Sequence, residues 1–296
     1  MSFWKWFSIP NCGRRRALTC GPQCDTLPSV IEEPPGYAVL IADPGHFKPA
    51  EIARALAALR KVPVHDVANA ARKCWGIVED AVGERAAREL AAALSREGLS
   101  ALAVPSTLLE DLPPPQPVAR LDLSPEGFFP ELGSRSRKVG WESLALAAAA
   151  GFRVTLTRKI KTEEGPGLGR KALKIGLTLA GIPVGLGGAK KEVEKTLESS
   201  DLVFYLDLIL KDSGGRFRID AQSFDYSCLK ARMGYNALGN FKQLLTEFVV
   251  RAKEAACNRG AKMLLDGKPV REMGYESLAD LERESRWLLT LQSLRR

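Results

Sequence analysis

Apolar positions in residues 36–105 alternate between strand-like runs and helical stripes, and their order predicts a compact β-α-α-β-α-β unit. Tyr37 to Ala42 is a continuous apolar run of the kind a buried strand makes, and Asp43, Pro44 and Gly45 predict a turn after it. Ile52, Ala55, Leu56 and Leu59 then recur at helical spacing, as do Val67, Ala70, Ala71 and Cys74, and later Ala87, Leu90, Ala91 and Leu94. Each set offers one face to a sheet. Short strands are expected at Gly76 to Val78 and at Ala101 to Val104. Asp66 is the expected N-cap of the second helix and Gly98 the residue that ends the third. Stripes so rich in alanine allow close helix–sheet approach but contribute less apolar area than leucine would.

Beyond residue 105 the pattern changes. Pro113, Pro114, Pro115 and Pro117 disfavour helix and predict an extended spacer within 106–133. An apolar run from Leu144 to Ala150 follows Trp141, and Phe152 to Ile160 alternates as a strand should. Asp201 to Leu210 and Arg216 to Ile219 read as a hairpin around Asp212 to Gly215. Leu238, Phe241, Leu245, Phe248, Val249 and Ala252 share one face of a long helix. A last helix is expected from Ser277, with Asp280 at its N3 position.

Strands first and helices after argue an α+β class rather than a doubly wound parallel sheet. The chain of 296 residues divides on this reading into a flexible leader (1–35), a small α/β docking module (36–105), a Pro-rich linker (106–133) and a larger antiparallel-sheet-plus-helices domain (134–296). A basic, Gly-rich insertion at 161–198 interrupts the last of these.

Charge refines the picture. The net charge is +8, yet residues 36–105 hold nine basic residues against eight acids. The excess gathers in residues 1–30, with Lys5 and Arg14 to Arg16 against Asp25 alone, and in 156–196, with nine Lys or Arg against four Glu. Such localised charge attracts an anionic partner or simply keeps a loop solvated. No uninterrupted apolar run approaches the ~20 residues of a membrane span, and the N-terminal aromatics are broken by Lys5 and Pro10 where a signal peptide would be apolar. A cytoplasmic location is expected, with a position peripheral to a membrane as the alternative.

The run Leu56 to Val62 resembles the first helix of the bacterial ribosomal stalk protein's C-terminal domain, and Leu40 to Asp43 through Lys48 to Ile52 resembles the strand, acidic turn and helix start of the Clp protease N-degron adaptor. Both families share a β-α-α-β-α-β fold, and the resemblance covers about a quarter of the chain. It implies a docking module. It does not carry those families' contacts, because Pro63 to Asp66 replaces the stalk domain's glycine-rich helix start and Ala42-Asp43 replaces the adaptor's Asn-Asp pair. In the second domain, antiparallel strands closed by a helix at 236–256 are similar to a pleckstrin-homology-like arrangement.

Several residue sets are candidates for chemistry. Cys12, Cys20 and Cys24 include one C-x3-C pair that suits zinc, with a fourth ligand missing unless Asp25 or His46 supplies it. Three unpaired thiols in a leader are the alternative, and no other cofactor is expected. His46 and His65 have no nucleophile context that would make a triad. The glycine clusters at 165–169 and 181–188 lack the Lys-Ser/Thr ending of a phosphate-binding loop. Asp207 and Asp220 can share one side of the hairpin as an acid/base pair, whereas Asp225 reads as a corner residue bonding backbone donors.

These observations point to a non-enzymatic cytoplasmic interaction or adaptor protein whose partner is a protein. Its expected contact residues are Trp4, Trp6, Arg14, Arg15 and Arg16 in the leader and Arg170, Lys171, Lys190 and Lys191 in the insertion. The same basic segments support binding to nucleic acid or an anionic membrane surface instead. An enzyme whose carboxylates or cysteines converge only in the fold is the third reading.

Overall fold

The computed structural model describes residues 36–133, 135–164, 191–211 and 214–295, with backbone alone for 135, 156–164 and 191–199. Within them the expected β-α-α-β-α-β order is present as β1 (Tyr37–Ile41), α1 (Pro49–Arg60), α2 (Val64–Lys73), β2 (Ile77–Val82), α3 (Glu84–Arg96) and β3 (Ala101–Pro105). β1 lies between β2 and β3 and is antiparallel to both. Pro49 opens α1, where a missing N–H costs nothing. The α2 start differs from expectation: Pro63 takes the N-cap position, and Asp66 lies in the first turn, where its charge favours the helix dipole. Gly98 follows α3 at φ +80, the left-handed conformation that a helix end of this kind requires.

The segment 106–133 is extended, as its prolines demand, but it is also paired. β4 (Pro115–Pro117) runs parallel to β11 (Arg216–Asp220), and β5 (Leu121–Ser124) makes a hairpin with β6 (Gly127–Leu132). The short strands β7 (Arg135–Ser136) and β8 (Val139–Gly140) flank β6. β9 (Leu144–Glu164) absorbs both the apolar run and the alternating segment, and pairs with β10 (Lys191–Leu210) from Leu144↔Leu210 to Glu164↔Lys191. β11 joins β10 only over Tyr205 to Ile209, so the outer part of the β9–β10 pair continues as a two-stranded ribbon. With β12 (Ala256–Cys257) parallel to β9, the sheet order is β12-β9-β10-β11-β4. Its centre is antiparallel as predicted, and its two edges are parallel.

Four helices complete the chain: α4 (Ala237–Arg251), α5 (Arg259–Leu265), α6 (Val270–Met273) and α7 (Leu278–Ser293). One face of the large sheet meets α4 and β6 through Phe128, Phe217 and Phe248, with ring centroids 5.1 to 6.2 Å apart in edge-on pairs. The opposite face meets α7. That helix starts in the expected capping box of Ser277 and Asp280 and buries Leu281, Trp287, Leu288 and Leu291.

α7 also contacts the β-α-α-β-α-β module. Trp287 Nε1 donates to the Ile41 carbonyl at 2.8 Å, and Arg283 donates to the carbonyls of Cys74 and Ile77 at 2.9 and 2.8 Å. The described residues accordingly form one compact unit with a continuous apolar core. The helices and strands together make an α+β fold. No helix among the described residues is long and apolar enough to cross a membrane.

Candidate functional site

The seam between the small module and α5 to α7 is where charged side chains converge. Its floor is aromatic. Trp75 stacks on Tyr275 with centroids 4.5 Å apart and rings 8° from parallel, and Phe47 stacks on the same indole at 6.0 Å. Trp75 holds a left-handed backbone (φ +46), unusual for a bulky residue, and Gly76 follows at φ +86. The pair turns the chain from α2 into β2 and aims the indole at α7, where its Nε1 donates to Asp280 Oδ1 at 2.9 Å.

Behind the floor lies a buried polar network. Asn258 Oδ1 accepts from the Ala149 amide at 2.9 Å while its Nδ2 donates to the Ala149 carbonyl at 3.0 Å, so the side chain continues the pairing that β12 makes with β9. Glu284 accepts from Asn258 Nδ2, the Arg259 amide and the Tyr275 hydroxyl. Burial pushes the Glu284 carboxyl above its ordinary value, against the pull of those three donors. Burial and the neighbouring carboxylate raise the Tyr275 hydroxyl well above its ordinary value. Glycine is needed at 260: a Cβ there would stand 2.0 Å from the Ala149 carbonyl oxygen, so α5 rests directly on the strand backbone.

Two clefts run along the seam and a third adjoins them. The first, about 700 Å³, lies between residues 44–51 and α5 and is lined by Lys48, Glu51, Cys257, Arg259, Lys262 and Glu284. The second, about 370 Å³, is lined by Arg72, Lys73, Trp75, Arg259, Arg271 and Tyr275, and shares Phe47, Pro49 and Arg259 with the first. The third, about 530 Å³, shares Arg271, Tyr275 and Glu276 with the second and reaches Phe152 and Arg153. Together they form a trough with cations along its rim.

The carboxylates of the trough are engaged. Glu51 lies 3.5 Å from Arg54, Glu276 lies 2.6 Å from Lys73, and Glu284 is held in the network below. Lys48, Arg72, Arg259, Lys262 and Arg271 form no ion pair among the described residues. Arg259 is partly fixed, since its Nη2 donates to the Glu272 carbonyl at 3.2 Å.

The residues singled out from sequence fall elsewhere. Trp4, Trp6, Cys12, Arg14, Arg15, Arg16, Cys20, Cys24, Arg170, Lys171 and Lys190 lie outside the described residues. Lys191 opens β10 opposite Glu164. Among the described residues no cluster of three or more His, Cys, Asp or Glu is arranged to hold a metal. His46 Nδ1 lies 2.5 Å from Asp43 Oδ2 in an exposed turn, and this hydrogen bond lowers the Asp43 carboxyl.

Asp207 and Asp220 do share a side of the hairpin, through the registers Asp207↔Arg218 and Tyr205↔Asp220. Asp207 is fully buried and bound by Arg216 and Arg218, at 3.0 Å from Arg216 Nε and 2.7 Å from Arg218 Nε. Glu282 of α7 completes the cluster at 2.9 Å from both guanidinium groups. Burial opposes ionisation of Glu282, and its two arginines overcome that and hold it below the ordinary carboxyl range. Asp225 caps the Tyr226–Arg232 turn by accepting from the Ser227 amide at 2.9 Å. Asp207, Asp220 and Asp225 line none of the three clefts of the trough.

The cations that do converge carried no local signal. Lys48 and Arg72 belong to a segment of nearly balanced charge, and Arg259, Lys262 and Arg271 are scattered through the last forty residues. No protein-family model, curated protein or solved structure matches the chain.

Proposed function

We propose that the protein is a non-enzymatic docking protein that receives an acidic segment of a partner protein in the trough between the small module and α5 to α7. The observation that carries this reading is the row of cations without carboxylate partners among the described residues, Lys48, Arg259 and Lys262 in the first cleft and Arg72 and Arg271 beyond it. Exposed cations of one sign along a concave wall raise the local concentration of an anionic ligand and orient it. The order of elements in 36–105, which resembles that of docking domains, supports the same reading. So do the buried carboxylates, each of which is occupied in holding the fold. The thiols Cys74, Cys228 and Cys257, unpaired among the described residues, suit a reducing, cytoplasmic setting.

The test is a fluorescence-anisotropy titration of the full chain with a labelled Glu/Asp-rich peptide across a range of salt concentrations. Affinity is expected to fall as salt rises, and the double change Arg259→Gln with Lys262→Gln is expected to weaken binding by roughly tenfold or more. Unchanged affinity in that variant overturns the proposal. Tighter binding of a single-stranded oligonucleotide, lost in the same variant, would replace the protein partner with nucleic acid.

A further inference from the structure

Arginines gather in the second cleft of the trough. The first cleft presents Lys48 and Lys262 beside Arg259, whereas the second presents Arg72, Arg259 and Arg271. Lysine is a compact point charge, whereas arginine's planar fork matches the paired oxygens of carboxylates and phosphoryl groups alike, and three such forks around one cleft suit more negative charge than a single carboxylate carries. We infer that the second cleft is a subsite for a phosphorylated side chain carried by the docked segment, an inference that rests on the docking reading above.

Charge supports the assignment. Lys73 and Glu276 both line the cleft, and their 2.6 Å contact largely cancels within the pair. Three guanidinium groups are left facing the cleft without a carboxylate among the described residues. A phosphoryl group above its second ionisation carries close to two negative charges and three acceptor oxygens, so it uses three such donors where a carboxylate uses one or two.

The site is also built to hold its shape. Arg72, Arg259 and Arg271 come from α2, α5 and α6, which meet only in the folded chain. The cleft floor does not yield: Trp75 is bonded to Asp280, and Tyr275 to Glu284 and to the Gly260 amide at 3.0 Å. Arg259 is steered by the Glu272 carbonyl. Rigid walls and a partly fixed guanidinium reduce the ordering cost of binding. At about 370 Å³ the cleft accommodates one phosphorylated side chain and leaves the first cleft for the acidic residues beside it.

The experiment compares four probes on the full-length protein: an acidic peptide containing one serine, its phosphoserine form, its Ser-to-Glu form, and inorganic phosphate. The phosphoserine peptide is expected to bind roughly tenfold tighter than the Ser-to-Glu peptide, beyond what added charge alone supplies. Arg72→Gln and Arg271→Gln are expected to lower the phosphopeptide's affinity roughly tenfold more than that of the unphosphorylated peptide, whereas Lys48→Gln lowers both alike. All three positions are exposed, so circular dichroism and the melting temperature should stay close to those of the parent. Equal affinity for the phosphoserine and Ser-to-Glu peptides overturns the subsite and leaves the docking reading standing. Failure of every peptide to bind overturns both. Inorganic phosphate binding as tightly as the phosphopeptide overturns the subsite in favour of a small-molecule anion site.

Discussion

The Trp287 indole occupies the space that a side chain at Gly76 would need. A Cβ placed on Gly76 would stand 2.0 Å from the ring, and the same indole donates to the Ile41 carbonyl at 2.8 Å. The two residues thereby join the small module to α7 by close approach and by a hydrogen bond at once. Gly76→Ala adds a steric clash to an unfavourable φ of +86. The expected cost is about 2–4 kcal/mol of unfolding free energy, read from urea denaturation, and a loss under about 0.5 kcal/mol would show that the seam yields easily.

Asp207 is the hub of a buried ionic cluster, and its removal leaves Arg216, 2% exposed, without its principal counter-charge. Asp207→Ala is expected to destabilise the protein by about 3–5 kcal/mol, because a desolvated guanidinium then lacks compensation. The paired change Asp207→Leu with Arg216→Met is expected to recover most of that loss. Equal destabilisation by the single and paired changes would mean that packing, and not charge, dominates at the site.

Glu284 makes stability depend on pH in a definite direction. Burial raises its carboxyl above the ordinary value of 4.5, so the folded protein holds this proton where the unfolded chain has released it. Its contribution is therefore full below pH 4.5 and is lost as the pH rises through the raised value. Removing the titration with Glu284→Gln should leave the difference from the parent flat below pH 4.5 and shift it in the variant's favour above. Equilibrium unfolding measured across that range checks the sign, and a difference independent of pH contradicts it.

Burial pushes the Cys74 and Cys228 thiols up to about 11, and raises the half-buried Cys257 as well. Little thiolate is then present at neutral pH, and access is poor. In a protein carrying Ser at positions 12, 20 and 24, these three cysteines are expected to react with a thiol reagent only as denaturant unfolds the chain. Rapid native labelling of Cys257, which lines the first cleft, would instead mark that cleft as open to reactive ligands.

Features set within a turn or two of chain were legible before folding. The stripes Ile52, Ala55, Leu56 and Ala87, Leu90, Leu94 appear as the buried faces of α1 and α3, and Ser277 with Asp280 forms the capping box. Helical period and capping depend on neighbours three or four residues apart, so sequence alone exposes them. The Asp66 cap failed for a local reason: Pro63 already supplies an extended residue ahead of the helix.

Sequence by itself determined the α+β class, the order β-α-α-β-α-β and the central hairpin, because apolar periodicity dictates which face each element must bury. Only the tertiary structure decided that the 106–133 segment supplies strands to two sheets, that register delivers Asp207 to Arg218, and that α7 bonds the small module through Trp287. The trough belongs to the second group. Its cations come from the start of α1, from α2, α5 and α6, and each is an ordinary surface charge until packing of those elements brings them around one aromatic floor. Local pattern fixes what an element buries, whereas convergent charge depends on contacts between residues far apart in the chain.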